Sequence, residues 1–232
     1  MKRNNFRINL ALLSALTLFC ATTARAAMIV GYDIPQDVGG FTGLGTIPGG
    51  APEVSATPMT ATVPPLAVAS IPNHYRFNNW APTVQSTRYI GTTFTVDAGK
   101  VLTLGDLTYS VEDLPHEGAR STFHVRSSLD GFAADIDSFT LTMAGLVTDR
   151  TTDLSVLGGI TGTIEFRFYA TVPSGGITMG FANHLPGGSG GGLPDVGQNI
   201  RFNGEITDVP EPTSLALMGI AGLMMARRRR GA

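Results

Sequence analysis

The sequence predicts an all-β body, a jelly-roll-like antiparallel β-sandwich, on three observations. Apolar and polar residues alternate with period two, turn signals separate the alternating segments at short intervals, and helical periodicity is almost absent between residues 27 and 209. In "KVLTLGDLTYSV", Val101 and Thr103 oppose Leu102 and Leu104, and Leu107, Tyr109 and Val111 then fall on every second position. In "GTIEFRFYATV", Ile164, Phe166 and Phe168 alternate with Thr163, Glu165, Arg167 and Tyr169. One polar face per strand marks half-buried antiparallel strands.

Along the chain, further strands are expected at 27–33, 88–96, 121–129, 136–143, 176–182 and 199–207. The turns between segments read Asp97-Ala98-Gly99, His116-Glu117-Gly118, Asp130-Gly131 and Pro173-Ser174-Gly175-Gly176. Eight or so strands with short turns argue a sandwich. The first strand (27–33) is expected to pair with the last (199–207). Two stretches do not fit a compact core. Residues 34–72 carry Pro35, Pro48, Pro52, Pro58, Pro64, Pro65 and Pro72 and read as an insertion looping over the surface. "NHLPGGSGGGLPDVGQ" at 183–198 reads as a flexible loop.

Charge divides the 232 residues into three regions. Residues 27–209 hold eight basic and seventeen acidic side chains, a net charge of −9. So acidic a surface repels phosphate backbones, and no nucleic-acid partner is expected. The remaining basic residues sit at the two ends. The single cysteine, Cys20, lies in the N-terminal apolar run, so the body uses no disulfide framework.

The N-terminus, residues 1–26, reads as a signal peptide. Lys2, Arg3 and Arg7 precede a short apolar run from Ile8 to Cys20, and Ala24 and Ala26 supply the small residues for cleavage before Ala27. The secretion translocon and signal peptidase are the implied partners. Leu18-Phe19 before Cys20 argues against a lipidated cysteine.

The C-terminal segment, residues 210–232, has three parts. Pro210, Glu211 and Pro212 come first, then an uncharged stretch at 213–226, then Arg227, Arg228, Arg229 and Arg230. As a helix, 213–226 would span roughly 21 Å, short of a hydrocarbon core of about 30 Å. The arginines compensate, because their stems reach the headgroups and their charge holds that end cytoplasmic. A short transmembrane helix is therefore expected. The two prolines break any helix upstream and leave Glu211 extended where a membrane protease can reach it. This order of parts resembles the sorting signal of PEP-CTERM proteins. The resemblance implies recognition by an exosortase, an integral-membrane enzyme with a cysteine nucleophile. It also implies a Gram-negative, exopolysaccharide-making host and a final place at the cell surface or in the matrix. "RSSLDGF" at 126–132 is similar to strings in the extracellular sandwich bodies of the same proteins.

Within the body nothing catalytic assembles. His74, His116, His124 and His184 have no metal-ligand spacing, and no nucleophile elbow or phosphate-cradling loop occurs. His124 is out of phase with Phe123 and Val125 and is expected on the surface face of its strand. The paired acids Glu112 and Asp113, Asp135 and Asp137, and Asp149 and Asp153 are what glycoside hydrolysis needs, but acids in turns of an acidic surface are mostly solvated. Asp130, Asp135 and Asp137 offer hard oxygen ligands for a structural Ca²⁺, against the simpler reading of Asp130-Gly131 as a hairpin turn. Trp80, with Tyr75 and Asn79 nearby, is a candidate sugar platform, against the simpler reading of a tryptophan closing the core edge. No other cofactor is implied. The expectation is an exported, non-enzymatic surface or matrix component. A carbohydrate-binding module for exopolysaccharide is the alternative, and a glycan-acting enzyme the third reading.

Overall fold

The structure is a computed structural model that describes residues 27–34, 43–44, 46–48, 51–62, 74–77, 80–113, 120–141, 147–172, 179–182 and 200–209. These form β1 (Ala27–Tyr32), β2 (Gly43–Leu44), β3 (Thr46–Pro48), β4 (Val54–Ala56), β5 (Met59–Ala61), β6 (His74–Phe77), β7 (Ile90–Val96) and β8 (Lys100–Asp113). They continue as β9 (Thr122–Ser127), β10 (Asp137–Thr140), β11 (Thr148–Asp153), β12 (Gly159–Ile160), β13 (Thr163–Thr171), β14 (Met179–Ala182) and β15 (Ile200–Asp208). The expected signal peptide, the apolar stretch at 213–226 and the loop at 183–198 lie outside the described residues. Among those residues no helix is long and apolar enough to cross a membrane.

The strands make two antiparallel sheets. The eight-stranded sheet runs β3-β1-β15-β8-β14-β6, with β11 and β12 also against β8. The seven-stranded sheet runs β10-β9-β13-β7-β5-β2, with β4 also against β7. Period-two alternation gives each sheet one apolar face, and those faces meet. Phe202 of the first sheet packs edge-to-face on Phe94 at 4.7 Å and against Phe166 at 5.0 Å. Phe181, also of the first sheet, meets Phe168 at 5.1 Å and Phe123 at 5.6 Å. The body is an all-β sandwich, and its aromatic core is contributed from both sides.

The expected pairing of first and last strands holds, with Ala27 opposite Gly204 and Tyr32 opposite Ile200. β15 in turn lies on β8, where the register slips between Asn203 and Gly204. A Cβ on Gly204 would come within 2.4 Å of the Thr103 carbonyl oxygen, so glycine is required at this close approach.

The surface-insertion reading of 34–72 needs correction. β3 pairs with β1, and β4 and β5 pair with β7, so the segment joins both sheets. Ile34, Val54 and Met59 are buried in the core. The prolines permit this because Pro48 ends a strand at the sheet edge, while Pro52 and Pro58 fall between strands, where no ladder N–H is needed. The hydroxyls of Tyr32 and Thr92 hydrogen-bond across the two sheets, and Tyr32 also donates to the Thr57 carbonyl at 3.1 Å.

Candidate functional site

Two regions stand out: the polar face of the seven-stranded sheet and the exit of β15. The first is built on the string 126–132. After β9 the chain makes a single 3₁₀ turn at Ser128–Asp130, then Gly131 and Phe132 both take left-handed backbone angles, at φ 70° and 63°. A phenylalanine in that region is strained and needs outside support. The string supplies it. The Ser127 carbonyl accepts the Phe132 N–H at 3.0 Å, and Arg126 Nη1 donates to the Phe132 carbonyl at 2.9 Å. Ser128 Oγ accepts the Glu165 N–H at 2.9 Å, which ties the turn to β13. The Asp130 carboxylate accepts the N–H groups of Ala134 at 2.9 Å and Ala133 at 3.2 Å. Those backbone donors, Ala134 first, hold its carboxyl below the usual carboxylate range.

The turn delivers the Phe132 ring onto β13. The Arg167 guanidinium lies 3.7 Å from the Phe132 centroid and 4.0 Å from that of Tyr89, between the two rings. Glu165 fixes its rotation by accepting from Nε at 2.6 Å and Nη2 at 3.2 Å. Tyr89 can lie over the sheet because Gly91 leaves room, where a Cβ would be 2.8 Å from the Tyr89 ring.

Beside this stack, Asp135 accepts from Arg126 Nε at 2.5 Å and from His124 Nδ1 at 2.9 Å. His124 Nε2 then meets Thr171 Oγ1 at 3.1 Å, so with Nδ1–H on the carboxylate the hydroxyl is the donor. A carboxylate–imidazole–hydroxyl chain has the order of a nucleophilic triad. Here the hydroxyl is that of Thr171 on the neighbouring strand β13, and the Asp135 carboxylate is shared with Arg126. The chain fastens the 133–135 segment to β9 and β13. His124 does face outward, as its phase predicts.

The candidate calcium ligands do not converge. Asp130 caps the turn and Asp135 serves His124 and Arg126. Asp137 accepts from Arg150 Nη2 at 3.0 Å and from Thr152 Oγ1 at 2.7 Å, at the seam between the sheets. Each carboxylate is spent on a protein donor, and among the described residues no three metal-ligating side chains group together. The three carboxylates thus serve as turn and seam contacts, as the hairpin-turn reading of Asp130-Gly131 anticipates for the first of them. The sugar platform is corrected. Trp80 is 4% exposed and donates Nε1–H to the Met179 carbonyl at 3.2 Å. Tyr75 is equally buried, donating to the Met59 carbonyl at 3.3 Å, and burial pushes its hydroxyl pKa up. Asn79 lies outside the described residues. The paired acids Asp149 and Asp153 part company as well. Asp149 accepts from Ser110 Oγ at 2.6 Å, whereas Asp153 accepts the Ser155 N–H at 2.8 Å.

Sequence reasoning missed the Tyr89–Arg167–Phe132 stack. Its members come from three separate segments, and only the register that sets Gly91 opposite Arg167 brings them together.

The second region is the end of the body. β15 stays on β8 as far as Asp208 opposite Lys100, whose Nζ reaches the Asp208 carboxylate at 2.7 Å. Val209 then donates its N–H to the Gly99 carbonyl at 2.8 Å. The folded sandwich thus runs to the residue before Pro210, with no spacer in between. Pro210, Glu211, Pro212 and the arginines at 227–230 lie beyond the described residues.

An all-β sandwich joined without a linker to a Pro-Glu-Pro tail, an apolar stretch and an arginine cluster is the build of an exported protein sorted at the membrane. Residues 208–230 match the PEP-CTERM protein-sorting motif. The chain is thereby an exosortase-sorted exported protein with an all-β body. No curated protein matches it. Among solved structures it is similar to the glycoside hydrolase domain of Endo-D from Streptococcus pneumoniae R6, at 13% identity and a TM-score of 0.28 over 68% of this chain and 22% of that one. It is also similar to a structure of the infectious bursal disease virus Gx strain, at 11% identity and a TM-score of 0.25 over 86% and 55%. The chain thus spans about a fifth and about half of the two, and likenesses this remote carry no functional argument.

Proposed function

We propose that the protein is a non-catalytic component of the cell surface or extracellular matrix of a Gram-negative bacterium. In this reading residues 1–26 lead it through the translocon and are removed before Ala27. Residues 213–226 then hold it transiently in the membrane, the arginines at 227–230 fix the orientation, and exosortase acts at the Pro210–Glu211–Pro212 segment. The jelly-roll-like body is the passenger delivered. The observation that carries the reading is the direct joining of a closed sandwich to the sorting motif, with Asp135, Asp137, Asp149, Asp153 and His124 each engaged in a structural contact. Fractionation of the host should find the body at the surface or in the matrix, and the purified body should turn over none of the host's glycans. Glycan turnover would restore the enzyme reading.

A second reading, attachment to exopolysaccharide, is favoured by one feature. Tyr89 and Phe132 stand half-buried on an outer sheet face beside Arg167 and Glu165, a mix of rings and hydrogen-bonding groups that suits a sugar. Saturable co-sedimentation of residues 27–209 with the host's exopolysaccharide, lost in Tyr89→Ala, would establish it. Binding that survives the substitution would remove this face from consideration.

A further inference from the structure

Among the described residues the last strand carries an open edge directly before the sorting motif. On one side β15 follows β8 to Asp208. On the other its pairing with β1 stops at Gly204 opposite Ala27, so among the described residues no strand runs along the second edge of 205–208. Antiparallel ladders alternate in the direction of their polar groups. Because Val209 donates to Gly99, Thr207 and Glu205 also face β8. The N–H and C=O groups of Ile206 and Asp208 therefore point to the open edge. Glu205, Thr207 and Asp208 are exposed around it, the Asp208 side chain at 82%. Cleavage before Ala27 would place the new N-terminus opposite Gly204 and leave no upstream residues to extend β1 along this edge.

An unpaired edge of this kind is a template for strand addition. The short reach from this edge to the tripeptide chooses its occupant. From Asp208 to Glu211 the chain reaches at most about 10 Å, so a protease acting within Pro210–Glu211–Pro212 must come up against 205–208.

We propose that the open edge of β15 docks an extended segment of the sorting protease, which adds as a strand beside Ile206 and Asp208 and so sets the Pro-Glu-Pro tripeptide in register for cleavage. The proposal rests on the exosortase reading above. Its test uses the full chain in a host that carries the sorting protease, reading by intact mass the fraction that has lost the arginines at 227–230. Asp208→Ala and Asp208→Pro both remove the carboxylate that pairs with Lys100. Only the proline removes an N–H from the open edge, and neither removes a backbone hydrogen bond to β8. Asp208→Ala should be processed at the wild-type rate and Asp208→Pro about tenfold more slowly. Equal rates in the two variants would overturn the docking. Should Asp208→Pro fold poorly, a ten-residue Gly/Ser insertion between Val209 and Pro210 leaves the sandwich untouched. Docking predicts slower processing of the insertion variant, and unchanged or faster processing would refute it. A wild-type chain that keeps its tail would instead sink the exosortase reading itself.

Discussion

Phe202→Ala probes the joint between the two sheets. The side chain is fully buried on β15 and touches Phe94 on β7 and Phe166 on β13, both of the opposite sheet. Truncation removes the transfer free energy of the ring and leaves a cavity between stiff strands, at a cost of about 3–5 kcal/mol. A domain's whole stability is about 5–15 kcal/mol, so this one ring holds a third or more of it in the typical case. At roughly 2–4 °C per kcal/mol for a domain of this size, the melting temperature should fall by about 6–20 °C. The assay is urea and thermal unfolding of residues 27–209, followed by the fluorescence of Trp80. It is the only tryptophan and is itself buried in the core, so its emission reports loss of packing. Leu129→Ala is the control, since that side chain is 52% exposed and its loss should shift stability by less than about 0.5 kcal/mol. A Phe202→Ala penalty below about 1 kcal/mol would refute the face-to-face packing of the sheets.

Three further perturbations follow from named contacts. Gly204→Ala forces a Cβ against the Thr103 carbonyl, a backbone atom that cannot swing aside, and should cost about 1–3 kcal/mol in the same melts; an unchanged midpoint would contradict the bulge geometry. Arg167→Lys keeps the charge but loses a planar group stacked between two rings, and should destabilise by about 1–2 kcal/mol, a loss that lysine cannot recover by pairing with Glu165 alone. Because the folded-state pKa of Asp130 lies below its unfolded value, its turn is fully stabilised above the ordinary carboxylate pKa. That stabilisation is lost as the pH falls through the folded value. Protection of the Ala133 and Ala134 amides from hydrogen exchange should therefore drop in acid, and in Asp130→Asn it should be low and flat with pH.

The long alternating strands were legible because burial on one face imposes period two. The segments 100–111 and 163–171 emerge as β8 and β13 nearly as read. β11 was not, because Thr148–Asp153 is polar throughout and only Thr152 is buried along it, so its pairing with β8 carries no hydrophobic signal. The strands within 34–72 were masked by prolines, which punctuate short edge pieces as readily as they break structure. Trp80 showed the limit of reading aromatics from neighbours in sequence. The adjacent asparagines offered a sugar platform beside the simpler reading of a ring closing the core edge, and the ring does turn inward, to the Met179 carbonyl. The sorting tail was the opposite case. Its meaning lies in the linear order of tripeptide, apolar stretch and arginines, which needs no tertiary contact to be read.

The measurement that tests the account most directly is the intact mass of the protein recovered from the surface of a host that carries the sorting protease. The account predicts a chain that begins at Ala27 and ends near the Pro210–Glu211–Pro212 segment, without Arg227, Arg228, Arg229 and Arg230. A surface-located chain that still carries all four arginines would contradict it.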